Sequence, residues 1–184
     1  MAQTSHLKSA IITAMETVPP TQATIGEGAA GWLQEVNGFV TTVSLDALAS
    51  TYQLVRVPTT AKVKRVIFEA EAMTQGEFQL GVYYSSSTSD GTASPNAGLV
   101  VTSSGSTSQV NFFSGDIDCT SAVAPVDRTY YGTALNTLDK RNQPLWQACG
   151  LTADPKGFFD IVATCDGATV TTGARMGVTV LYCE

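Results

Sequence analysis

The chain has 184 residues, enough for one compact domain with a real core and marginal for two. Charged residues are only 14%, the net charge is −6, and Ser, Thr, Gly and Ala fill the missing places. This excludes a broad basic face that would neutralise phosphates, and it predicts a surface that loses little solvation when another protein covers it.

Residues 5–18 place Leu7, Ile11, Ala14 or Met15, and Val18 on one helical stripe. Ser5 suits the cap and Pro19 with Pro20 the stop, so a short amphipathic helix is expected. Residues 21–31 are a Gly/Ala/Thr-rich connector, and the composition changes at Trp32. The expected organisation is an N-terminal arm over 1–31 and a β-sandwich domain over 32–184.

Within that domain, 39–44 and 51–57 read as strands, the second stopped by Pro58. Residues 61–72 alternate, with a slip at Arg65 and Val66 that marks either a bulge or a change of face. Over 77–84, Phe78, Leu80, Val82 and Tyr84 share one face, with Gln79, Gly81 and Tyr83 on the other. Residues 85–108 form a long Ser/Thr/Gly loop with a turn at 90–91 and a short strand expected at 99–102. Val110, Phe112 and Phe113 follow as core candidates. A helical turn is expected at 134–139. Asn142 is expected to cap a second helix carrying Leu145, Trp146 and Cys149, ended by Gly150. After a turn at 154–157, residues 158–165 and 177–183 close the chain as strands. Seven to nine strands with polar turns and one or two short helices predict a mostly β, antiparallel sandwich or jelly roll.

Chemistry is sparse in this pattern. His6 is the single histidine and lies in the arm, so a Ser–His nucleophile pair is not expected. Cys119, Cys149, Cys165 and Cys183 lack metal-binding spacing and read as reduced, mostly buried, small hydrophobes, with one disulfide as the lesser alternative. Paired carboxylates at Glu69 with Glu71, and at Asp116 with Asp118, are the remaining enzymatic option, weighed well below solvent-facing strand positions. Tyr83, Tyr84 and Trp146 beside the hydroxyl-rich loop are the option for glycan binding. Lys62, Lys64 and Arg65, and separately Lys140 and Arg141, are the basic clusters, read as solvated faces. The apolar stretch 9–15 meets Glu16 and two prolines at once, so no secretory leader is expected. Together with the lack of a bilayer-length apolar run, this predicts a soluble product made in the cytoplasm.

Several short segments, taken in order, carry a resemblance. They are RVPTTAKV at 56–63, QLGVY at 79–83, NFFSGDID at 111–118, QPLW at 143–146, GLTADP at 150–155, FDI at 159–161, and 173–182. Together, from about residue 51 to 183, they resemble a family of tailed-bacteriophage and prophage virion proteins that includes head cement and decoration proteins. The resemblance implies a β-sandwich or jelly-roll domain, no catalytic residues, no cofactor, and a place on the outside of the capsid. The implied partners are the major capsid protein and neighbouring copies of the chain, with neither nucleic acid nor membrane. Leu7, Ile11, Met15 and Val18 of the arm, with Trp32, are the expected partner interface. A head–tail connector, a tail or fibre-base component, and a host-glycan-binding module are the alternatives.

Overall fold

The computed structural model describes residues 32–42, 48–74, 76–88, 95–131, 136–167 and 173–184. The helix expected over 5–18, with Leu7, Ile11, Met15 and Val18, lies outside these residues, as do the connector 21–31 and the turn at 90–91.

Leu33–Glu184 forms one compact unit. Its strands are β1 (Leu33–Thr41), β2 (Thr51–Pro58), β3 (Lys62–Ala70), β4 (Glu77–Thr88), β5 (Ser114–Asp118), β6 (Val123–Asp127), β7 (Gly157–Cys165) and β8 (Arg175–Cys183). They make two four-stranded antiparallel sheets, ordered β1-β8-β3-β6 and β2-β7-β4-β5. First pairs with last, second with seventh, third with sixth and fourth with fifth. This nesting is a long hairpin rolled into two layers, the connectivity of a jelly-roll-like sandwich.

Alternation decides which side chains enter the core. Phe78, Leu80 and Val82 of β4 meet Phe159, Ile161 and Ala163 of β7 and Met176, Val178 and Val180 of β8 in one buried cluster. Large side chains such as Phe68, Phe78 and Phe159 are fully buried. Each contributes about 1.5–3 kcal/mol over an exposed position. Edge-on ring contacts add order, between Tyr52 and Phe78 at 5.9 Å and between Phe112 and Phe113 at 4.9 Å. The slip in β3 is real: its register with β8 shifts between Val63 and Arg65.

Several boundaries differ from expectation. The first strand starts at Leu33 and not Phe39, because its polar and apolar residues pair continuously with β8. β6 lies in a stretch where no strand was expected; Pro125 stands in its middle, and as an edge strand β6 tolerates a residue with no N–H. The long loop is partly tied down. Val100 bridges Tyr83, and Thr102 bridges Ser108. Val110 is half-buried, whereas Phe112 and Phe113 are core.

The helical turn is a 3-10 turn at Leu138–Lys140, and the second helix, α1, is only Leu145–Ala148. Pro144 occupies the cap position of α1 and gives no side-chain cap. Asn142 instead accepts a hydrogen bond from Lys64. Gly150 has the expected left-handed backbone, φ +78°. The amides of Leu145 and Trp146 donate to the carbonyls of Ala61 and Thr59, so α1 seals the β2–β3 turn.

Candidate functional site

The outer face of the first sheet carries a surface groove of about 340 Å³. Gly177 of β8 lies between Phe39 of β1 and Glu69 of β3 in the strand register. Without a side chain at Gly177, the sheet surface dips there. Phe39 stands beside the dip with 74% of its surface exposed. At the end of the groove Arg175 clasps Glu71. Its Nε and Nη2 donate to Oε1 at 2.9 and 2.6 Å, and its backbone N–H donates to Oε2 at 2.9 Å. The arginine side chain, then its backbone amide, hold the Glu71 carboxyl below the usual carboxylate range. Val123 of β6 completes the rim.

This is poor equipment for acid–base catalysis. A general acid needs a carboxyl whose pKa is raised towards neutrality, and Glu71 is shifted the other way. Of the second pair, Asp118 is shifted the same way. Asp118 is exposed and lowered by its hydrogen bonds from Thr120, and Asp116 is an exposed neighbour on the same edge strand. Among the described residues no group of three or more His, Cys, Asp or Glu is arranged to hold a metal ion.

All four cysteines are buried, and none is disulfide-bonded. Burial pushes the Cys119 thiol up to about 12 and raises Cys149 as well. High thiol pKa values make poor nucleophiles at neutral pH. The aromatic residues considered for glycans do not form an open platform. Tyr83 is buried, with its hydroxyl 2.7 Å from that of Thr164. Tyr84 packs edge-on against Phe159 at 5.7 Å, and Trp146 is partly buried against the core. Trp32 is 87% exposed just before β1. The other residues expected at a partner interface, Leu7, Ile11, Met15 and Val18, are outside the described residues.

The structure joins the two basic clusters. Lys64 Nζ donates to Asn142 Oδ1 at 2.8 Å, tying β3 to the turn that carries Lys140 and Arg141. Arg128 follows β6 at the same edge, its amide bonded to the Val66 carbonyl and its guanidinium 4.1 Å from the Tyr131 ring centre. Arg65 is part of this edge but is paired with Asp127 at 2.9 Å. The corner is therefore locally basic on an acidic chain, a feature that separate clusters in the sequence do not reveal.

A second pair escaped the sequence reading. Asp160 points from β7 to the outer side of the second sheet and is nearly buried, with 4% of its side chain exposed. Arg56 of β2 grips both its oxygens, Nε to Oδ1 at 2.7 Å and Nη2 to Oδ2 at 3.0 Å. The signal was present: an aspartate inside the run GFFDIVATC needs a cationic partner.

No protein-family model matches the chain, and no curated protein matches it. Among solved structures, a chain of the cyanophage Pam1 capsid asymmetric unit is similar, with a TM-score of 0.46 and 12% sequence identity over 92% of this chain and 97% of that one.

Proposed function

We propose that this chain is a structural protein of a phage virion, a capsid cement or decoration protein that binds the outside of the head. On this reading it is not an enzyme and uses no cofactor. It bridges subunits of the major capsid protein and lies beside other copies of itself. The observation that carries the reading is the character of the described surface. A groove on it joins an exposed aromatic, Phe39, to a self-neutralised Glu71–Arg175 pair, which suits covering by protein and not turnover. Leu33, Leu48, Leu99 and Leu138 are also largely exposed.

Two further features support it. The nested eight-strand sandwich is an architecture used in viral capsids, a fold-level analogy. The ordered motifs from residue 51 to 183 resemble cement and decoration proteins. The arm, with Leu7, Ile11, Met15 and Val18, and Trp32 at its end, is proposed as the capsid-binding segment. Many weak contacts on a repeating lattice add up through multivalency.

The test is binding of the purified chain to heads assembled from its cognate major capsid protein. The full chain binds the outer lattice in many copies per head, and a chain lacking residues 1–31 binds at least tenfold more weakly. Failure of the full chain to bind heads contradicts the proposal, and unchanged binding after truncation removes the arm from it.

A further inference from the structure

Two four-stranded sheets have four edges, here β1 and β6 in one, β2 and β5 in the other. An edge strand offers unpaired N–H and C=O groups to any further strand, and proteins guard such edges. Three of these four are guarded. β6 has Pro125 at its centre. β5 is five residues long, carries Asp116 and Asp118, and is bridged at Ser114 by Tyr131. β2 has a register shift between Gln53 and Val55, the charged Arg56, and Pro58 at its end.

Of these devices β1 has a single charge alone, Glu35. It runs nine residues without Pro, Lys or Arg, and its register with β8 is unbroken from Leu33↔Cys183 to Thr41↔Arg175. Among the described residues its backbone pairs with β8 alone. Leu33 and Phe39 on its outward face are 61% and 74% exposed, and Glu35 is its single charge.

We propose that β1 pairs antiparallel with β1 of a second copy of this chain, merging the two first sheets into one of eight strands. The sequence of the strand is self-complementary in one register. Directly opposed residues share a face, so a two-fold axis must pass through a residue of the strand. Centred on Val36, it sets Leu33 against Phe39 twice and Glu35 against Asn37 twice. Centred on Glu35, it opposes two carboxylates; centred on Asn37, it sets Phe39 against Glu35. The Val36 register alone among these matches apolar with apolar and separates the charges. The pairing goes beyond the capsid reading and does not depend on it, because the isolated chain suffices.

The experiment uses the full chain and two single variants at exposed positions, L33C and F39C, under mild oxidation. The native thiols are buried and do not compete. Opposed residues of an antiparallel pair have Cα atoms about 4.5–5.5 Å apart, within reach of a disulfide. Mixing the two variants is expected to give a cross-linked dimer. Each alone is expected to give little, because like positions lie six residues apart, roughly 20 Å. By sedimentation, the unmodified chain dimerises in the micromolar range expected of a small interface, and F39K weakens this at least tenfold with an unchanged circular dichroism spectrum. A chain monomeric to about 100 µM, leaving β1 to a strand of a capsid partner or to residues 1–31, overturns the proposal. Equal cross-linking in the unmixed samples overturns the register and with it the argument.

Discussion

Gly38 in β1 lies against the backbone carbonyl of Leu54 in β2, so close that a Cβ at position 38 would overlap that oxygen and touch Val55 Cγ1 at 3.0 Å. The two strands belong to different sheets. A residue without a side chain is what lets this corner of the sandwich close.

Gly38→Ala is therefore expected to destabilise the domain by about 1–3 kcal/mol, since backbone atoms must move to admit the methyl group. Denaturant unfolding reads this as a lower midpoint at an unchanged slope. A midpoint equal to that of the parent chain would show that the corner yields freely.

The Arg56–Asp160 pair predicts an asymmetry. Arg56 is 40% exposed at its side chain, so it regains water if its partner is lost, whereas the Asp160 carboxylate does not. Arg56→Met is expected to cost about 3 kcal/mol and Asp160→Asn about 1 kcal/mol. Equal costs, or the reverse order, would mean that Asp160 is better solvated than its burial indicates.

Much of the fold was legible because it rests on local alternation. Phe78, Leu80 and Val82, or Val178, Val180 and Tyr182, declare their buried face within six residues, and the β3 bulge shows as a slip in the same rhythm. The features missed depend on distance along the chain. Arg56 and Asp160 are 104 positions apart, as are Glu71 and Arg175. Nothing in the sequence near Gly38 announces Leu54. β6 holds Pro125, a residue whose exclusion from strands holds for the middle of a sheet but not for its edge. Asn142 fits a capping pattern, yet Lys64 takes its oxygen, a tertiary contact that local propensity does not record.

Acid sensitivity follows from two carboxyls. Glu71 is lowered by its hydrogen bonds from Arg175. For Asp127, burial pushes the pKa up, but hydrogen bonds from Thr129 and Arg65 together outweigh it and leave it lowered. A folded-state pKa below the unfolded value stabilises the fold above the unfolded pKa of about 4, and that contribution is lost as pH falls through the folded value. Stability is expected to decline below about pH 4, and NMR titration should find both carboxyls with midpoints beneath their ordinary values. Midpoints at or above those values would contradict the two ion pairs.

The four cysteines are expected to resist a thiol reagent at pH 8 in the native chain and to react together on unfolding, because all are buried and burial raises Cys119 and Cys149. Rapid labelling of even one thiol in the folded protein would place it at the surface.

The central claim is that this sandwich works by being covered. Cryo-electron microscopy of virions containing the chain measures that most directly. The account predicts density matching the eight-stranded domain repeated over the outer head lattice, in hundreds of copies. Density confined to the neck or tail, or no copy in the particle at all, would contradict it.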